Sequence, residues 1–136
     1  MKKAILCLLI LFFGSIGFGQ ANSKLDSLKR ILAKLPVEGK SFASDTLRVK
    51  VLCEVLESEP FTSSQNYFFE AINISKRVNW IYGIALSYHK YGIKSTINGN
   101  LFNAIDFLNL SLINSEKIGD LELTANNLRY TGHGSG

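Results

Sequence analysis

The sequence is poor in cysteine, proline, histidine and charge, and each shortage excludes a class of protein. Its 136 residues include 2 Cys, 2 Pro and 2 His, and 19% of them are charged. Two cysteines are too few for a disulfide-stapled scaffold or a four-thiolate zinc site. The hydrophobic content of 46% excludes a disordered chain, and this length allows one domain or a few small repeats.

Catalytic signatures are missing as well. The sequence contains no nucleophile elbow, Walker loop or kinase signature, and no paired carboxylates lie within an apolar stretch. The glycine-rich Gly132–Gly136 does not join a strand to a helix, so it does not predict a phosphate loop. The spacing of Cys53, His89 and His133 matches no metal site. We therefore expect no enzyme activity, no cofactor and no metal, and we expect His89 to be half-exposed on a helix.

The N-terminal residues have the layout of a secretory signal peptide. Two lysines precede an apolar run over residues 4–13, and small residues follow at Gly17 and Gly19. These are the positions that signal peptidase recognises. The run is shorter than the roughly 20 apolar residues of a membrane-spanning helix. We expect residues 1–19 to be removed and the mature protein to be periplasmic or extracellular. An uncleaved N-terminal anchor is the alternative.

Removal of this segment leaves little net charge. The chain has 15 Lys+Arg and 11 Asp+Glu, and loss of Lys2 and Lys3 lowers the net charge from +4 to +2. No cluster of Lys and Arg remains to bind a phosphate backbone, so we expect no nucleic-acid partner. Cys7 leaves with the signal peptide, and Cys53 then has no partner for an internal disulfide.

The rest of the chain repeats itself after forty residues, from Phe61 onward, whereas residues 45–57 match poorly. The aligned pairs are Tyr67-Phe68 with Phe107-Leu108, Ser75 with Ser115, Ala85 with Ala125, and Gly92 with Gly132. Within each unit, apolar residues recur three and four positions apart, which is the spacing of one helical face. Strand-like alternation of useful length is absent from the sequence. Each unit is therefore predicted to contain two α-helices.

Turn and cap signals predict where these helices begin and end. Asp45-Thr46 is predicted to cap the first helix, a second helix is predicted over residues 66–78, and Asn98–Asn100 breaks the next one. Asp120 is predicted to cap the last helix. Gly92 lies on an apolar face, which predicts close approach by a partner helix.

The helix after Asn100 carries apolar residues on two sides. One stripe contains Leu101, Ala104, Ile105, Leu108 and Leu112, and the other contains Phe107, Leu110 and Ile113. A helix that is apolar on both sides is expected to be buried on both sides.

Residues 20–44 precede the repeats as an N-terminal helix and linker. Four leucines form a narrow seam at spacings of three and four, from Leu25 to Leu35, and a flexible link follows over residues 36–44. This seam is too short for a stable coiled coil. It predicts a helix that caps the end of the repeats, with a dimerising coil or a membrane-surface helix as alternatives.

The second unit resembles the tetratricopeptide repeat (TPR). The residues that carry the resemblance are Tyr88-x-x-Tyr91-Gly92, Gly99-Asn100-Leu101, Ala104-Ile105-x-Phe107 and Ser111-Leu112. The stretch over residues 103–128 is similar to repeats of the long, forty-residue variant in exported sensor regions of bacterial two-component proteins. Ser95 and Leu52 depart from the family pattern.

The resemblance implies an all-α fold in which antiparallel helix pairs stack as a short right-handed α-solenoid. About two and a half units would occupy residues 45–130, and residues 131–136 would form a flexible tail. Only two full helix pairs and the start of a third are present. We therefore expect the chain to be the N-terminal piece of a longer protein or a truncated gene product.

The resemblance also implies a concave groove, lined by the first helix of each pair, that binds a protein or peptide. The positions carried over to this groove are Thr46, Val49, Cys53, Leu86, His89, Ile93, Asn126 and Arg129. In chaperone-binding relatives, Lys and Asn in this groove clamp a peptide carboxylate; Val49, Cys53, His89 and Ile93 stand at those places here, so the two full helix pairs have no such clamp. A mostly apolar groove suits an amphipathic helix, an extended segment or a neighbouring repeat. Packing against another part of the full-length protein is an equal alternative.

These observations predict an exported TPR protein-interaction module. We expect it to be the N-terminal sensory or scaffold part of a two-component signalling protein, either a histidine kinase or a DNA-binding regulator. The alternatives are a stand-alone periplasmic scaffold or assembly protein and a small-ligand binder, which needs a deep polar pocket that the sequence does not predict. Membrane contact is expected only through the signal or anchor segment or a missing downstream span.

Overall fold

Helices make up nearly all of the described chain. The computed structural model describes residues 16–37 and 39–132, which form six α-helices and no strand. The helices are α1 (Ile16–Lys34), α2 (Phe42–Ser58), α3 (Phe61–Arg77), α4 (Ile81–Ile97), α5 (Leu101–Lys117) and α6 (Leu121–Thr131). The prediction of an all-α fold is confirmed for this part of the chain.

From α3 onward the helices start at intervals of twenty residues, which is half the period visible in the sequence. The first residues of α3, α4, α5 and α6 are residues 61, 81, 101 and 121. Each of α2 to α5 is 17 residues long, or roughly 25 Å at 1.5 Å per residue. Equal lengths allow neighbouring helices to pack along their whole extent.

The connectors after α3, α4 and α5 share one backbone geometry. Their middle residues, Asn79, Gly99 and Gly119, are left-handed, with φ of 55°, 83° and 68°. In each connector the next N–H donates to a carbonyl five residues earlier. The bonds are Trp80 to Ser75 at 2.8 Å, Asn100 to Ser95 at 2.9 Å and Asp120 to Ser115 at 3.0 Å. This is the Schellman arrangement, which satisfies carbonyls at a helix end and reverses the chain.

Each helix packs against the next one along the chain, and α2 also packs against α4. One group of buried side chains lies around Val49, Leu52 and Cys53 of α2. The other lies around Phe68, whose ring stacks on that of Tyr91 with centroids 4.3 Å apart. These two clusters bury apolar surface from α2, α3 and α4, which is the dominant favourable contribution to folding.

Helix α1 is held against α2 by a buried arginine. The Arg48 guanidinium donates to the carbonyls of Leu32 and Leu35 at 3.2 and 3.3 Å, and it also pairs with Glu70 of α3. Leu32 packs against the core cluster around Val49. Because the last carbonyls of a helix have no intrahelical partners, these bonds satisfy the end of α1 and fix its position.

Two predicted helix starts are wrong. The first repeat helix begins at Phe42, because extended Ser41 accepts a 3.1 Å hydrogen bond from the N–H of Ser44. Asp45, predicted as the cap, is buried in the first turn and pairs with Arg77 at 3.4 Å. Helix α3 begins at Phe61 rather than residue 66, because Pro60 is itself the N-cap.

Two other local predictions are confirmed. The Asp120 carboxylate accepts a hydrogen bond of 3.0 Å from the N–H of Leu123, which caps α6. A Cβ atom added to Gly92 would lie 2.8 Å from Cγ and Cδ2 of Leu108. The absence of a side chain at Gly92 therefore lets α4 and α5 approach closely.

The predictions for the two ends of the chain fall largely outside the described residues. Of the predicted signal peptide, residues 1–15 are not described and residues 16–19 form the first turn of α1. Of the predicted tail, Thr131 is still helical and residues 133–136 are not described. Among the helices described above, none combines the length and apolar character needed to cross a bilayer. Export stays a prediction.

Candidate functional site

Two of the eight predicted groove residues belong to the core. Val49 and Cys53 are 0% and 1% exposed, because Leu32 of α1 packs on their cluster and Ser87 of α4 lies 3.7 Å from the Cys53 sulfur. The prediction that they line an open groove is therefore wrong. Burial raises the pKa of the Cys53 thiol to about 12, which makes it unreactive at neutral pH.

Three other predicted groove residues line one pocket between α4 and α6. They are Leu86, His89 and Asn126, and the pocket has a volume of ≈ 190 Å³. The remaining lining residues are Tyr82, Lys90, Asp120, Glu122 and Leu123. Most of them are polar, so the structure contains a polar pocket that the sequence did not predict. The predicted groove residues Thr46, Ile93 and Arg129 are not part of this lining.

His89 is buried rather than half-exposed, which corrects the prediction for this residue. Its side chain lies where α6 crosses α4, and only 7% of the residue is exposed. Nδ1 of His89 lies 2.7 Å from Oδ1 of Asn127 in α6. The Tyr130 ring meets the imidazole edge to face, with centroids 6.2 Å apart. Burial lowers the pKa of His89 below its usual value, so the imidazole is neutral at pH 7.

A buried chain of hydrogen bonds continues from His89 through three helices. Nδ2 of Asn127 donates to Oγ of Ser111 at 2.9 Å, and Oγ of Ser111 donates to the carbonyl of Ala85 at 2.6 Å. Asn127 and Ser111 are each 0% exposed. Since buried polar groups are costly unless paired, this chain fixes the relative placement of α4, α5 and α6.

The pocket is electronegative. Asp120 and Glu122 lie at its rim, and the one cation in its lining, Lys90, pairs with Glu57 of α2 at 3.0 Å. Burial and then the nearby Asp120 raise the pKa of Tyr82, and Glu122 acts in the same direction. Negative charge that opposes ionisation of Tyr82 also favours a bound cation.

A second candidate surface is an apolar stripe on the outside of α5. We call Phe102, Ile105 and Ile113 the outer stripe; these residues are 80%, 49% and 52% exposed. Their spacings of three and eight place them on one side of the helix. Leu101, at its end, is 58% exposed. The expectation that α5 is buried on both sides is therefore wrong.

The described residues do not form a metal site. Within residues 16–37 and 39–132, no three His, Cys, Asp or Glu side chains cluster in a way that could hold a metal ion. Comparison with models of protein families, with curated proteins and with solved structures found no match to this chain.

Proposed function

We propose that this chain is an exported protein-interaction module, the sensory or scaffold part of a bacterial two-component signalling protein. The outer stripe of α5 is the observation that carries the protein-interaction part of this proposal. Large apolar side chains that lie together on a surface are typical of protein interfaces. In α3, the positions forty residues earlier are Thr62, Gln65 and Asn73, which are polar and exposed.

The charges beside the outer stripe favour a protein over a membrane as its partner. The charged residues of α5 are Asp106, Glu116 and Lys117, so the helix carries a net charge of −1. Helices that lie on anionic membranes are instead rich in Lys and Arg on their polar face. An amphipathic helix with its apolar side toward α5 suits this surface.

Site-specific photocrosslinking tests the proposal. A benzophenone amino acid at position 102 should form a discrete covalent adduct with another protein in the cells that naturally make this chain. The same group at position 62 of α3 is the matched control, because it occupies the equivalent place in the preceding unit. Absence of an adduct at position 102, or the same adducts at both positions, would contradict the proposal.

The proposal extends to a TPR-like right-handed solenoid. The support is the regular start of a helix every twenty residues, the repeated connector geometry, and the packing of α2 against α4. In a solenoid each unit contacts only its neighbours, so a further unit can be inserted. A second copy of residues 81–120 placed after Asp120 should fold, adding two helices to the circular dichroism signal without lowering the midpoint of thermal unfolding. Loss of cooperative unfolding would indicate a closed bundle.

A further inference from the structure

The pocket between α4 and α6 presents a histidine nitrogen whose state can be deduced from its neighbours. The Ser111 hydroxyl has one hydrogen, which it donates to the Ala85 carbonyl. Oγ of Ser111 must therefore accept from the Asn127 amide nitrogen, which turns the Asn127 oxygen toward His89. An amide oxygen only accepts, so Nδ1 of His89 carries the proton and Nε2 of the neutral ring is an acceptor.

That acceptor opens into the pocket. Nε2 of His89 has no hydrogen-bond partner among the described residues. Every buried side-chain nitrogen or oxygen atom of those residues does have a partner. Nε2 is therefore accessible from the pocket, although only 7% of the residue as a whole is exposed. Because His89 lines the pocket, a ligand there meets an acceptor that protein groups leave unsatisfied.

The other groups around this acceptor are also suited to a positively charged donor. Asp120 uses one oxygen to cap α6 through Leu123, and its charge remains at the pocket with that of Glu122. Lys90 is neutralised by Glu57. Tyr82 adds an aromatic ring to the lining. An anionic ligand would be repelled here, and a ligand without donors would leave Nε2 unpaired.

We propose that this pocket binds a guanidinium group. Guanidinium is a planar cation with five N–H donors and no acceptor, and it stacks on aromatic rings. It can donate to Nε2 and to carboxylates, and a volume of ≈ 190 Å³ suits one side chain rather than a folded segment. The group comes either from free arginine or from an arginine of a partner polypeptide. No pocket residue belongs to the outer stripe, so this site stands independently of the function proposed above.

An NMR titration tests the proposal with two arginine probes. Free L-arginine and N-acetyl-L-arginine amide should each shift the Nε2 resonance of His89 saturably, and N-acetyl-citrulline amide, the uncharged isostere, should not. Tighter binding of the free amino acid would indicate a small-molecule ligand, and tighter binding of the capped form would indicate a peptide. The proposal is overturned if neither arginine probe shifts the resonance, or if citrulline amide shifts it equally.

Two further measurements separate binding in the pocket from surface charge effects. Glu122→Gln should weaken arginine binding about threefold, as for an exposed ion pair, and Glu116→Gln, an exposed carboxylate of α5 outside the pocket, should leave it unchanged. Equal effects of both variants would contradict the proposal.

Acidification is the second of these measurements. Protonation of Nε2 turns the acceptor into a donor, so binding should be lost over the pH range in which the His89 resonance itself titrates. The titratable groups facing His89 are Tyr82 and Lys90 of α4, Asp120 and Glu122 at the start of α6, Tyr130 of α6, and Glu57 of α2 through Lys90. Binding that persists after His89 is protonated would overturn the proposal.

Discussion

Helices α3 and α5 occupy the same place in consecutive forty-residue units, and they differ on one side only. Their inner sides are alike: Phe68 and Ser75 of α3 are buried, and so are Leu108 and Ser115 at the matching positions of α5. On their outer sides, the three positions of the apolar outer stripe of α5 are polar in α3, while α3 exposes Phe69 on this side where α5 has Asn109. Stability in this fold therefore depends on the inner side, which leaves the outer side free to differ between units.

The largest expected effect is on the inner side of α5. Leu108 is 1% exposed and lies against Gly92 of α4, so Leu108→Ala should lower the free energy of unfolding by about 2–5 kcal/mol. Ile105→Ala, on the outer stripe, should cost much less. Urea denaturation of the two variants measures this difference. Equal losses would show that the outer stripe is part of the core.

A smaller loss is expected where α4 and α5 come closest. Alanine is a better helix former than glycine by about 1 kcal/mol, yet Gly92→Ala should destabilise the protein by about 1–3 kcal/mol because the added methyl overlaps Leu108. Thermal or urea unfolding is the measurement. Gly99→Ala is a useful comparison, because nothing lies within 4 Å of its Cβ position and any loss reflects its positive φ. Stabilisation by Gly92→Ala would contradict the close approach.

Acid should weaken the contact of α4 with α6. Since the pKa of His89 is lowered in the fold, the unfolded chain binds more protons than the folded chain once the pH falls below about 6.5. The stability contribution is complete above that pH and is lost as the pH falls toward the folded pKa. Urea unfolding between pH 7.5 and 5.5 should show this decline, and His89→Gln should flatten it. An unchanged slope in that variant would assign the decline to other groups.

The smallest effect on stability is expected from making α5 resemble α3 on the outside. Phe102→Thr, Ile105→Gln and Ile113→Asn place the α3 residues at the matching positions, and each should change the free energy of unfolding by about 0.5 kcal/mol or less. Together they should abolish binding of the partner found by crosslinking at position 102. Retained binding with an intact fold would show that the outer stripe is not an interface.

Local chemistry made the helix ends partly predictable. Asp120 is followed by the backbone N–H that it caps, and Gly99 lies where a left-handed residue is needed, so the signal and its effect are neighbours in sequence. The predicted start of α2 was wrong because Ser41, four residues before Asp45, is the cap, and the predicted start of α3 was wrong because the helix begins directly after Pro60. Sequence alone does not rank two cap candidates a few residues apart.

The candidate sites were less predictable because each depends on a distant helix. Val49 and Cys53 were assigned to a groove, but α1 and α4 cover them. The burial of His89 depends on Asn127, which lies 38 residues later. A buried polar pair of this kind leaves no periodic pattern in the sequence from which it could be predicted. The only hint in the sequence was that His89 and Asn126 both belong to the first helix of their units.

The sequence by itself determined that the described chain is helical, where it turns, and which side of each helix is apolar, because those properties follow from residues within one or two helical turns of each other. Only the tertiary structure decided which apolar sides are covered. It closed the side of α2 that carries Val49 and Cys53, left the outer stripe of α5 open, and brought Asn127 to His89. Coverage depends on where other helices lie, and that position is set by packing between residues far apart in the chain.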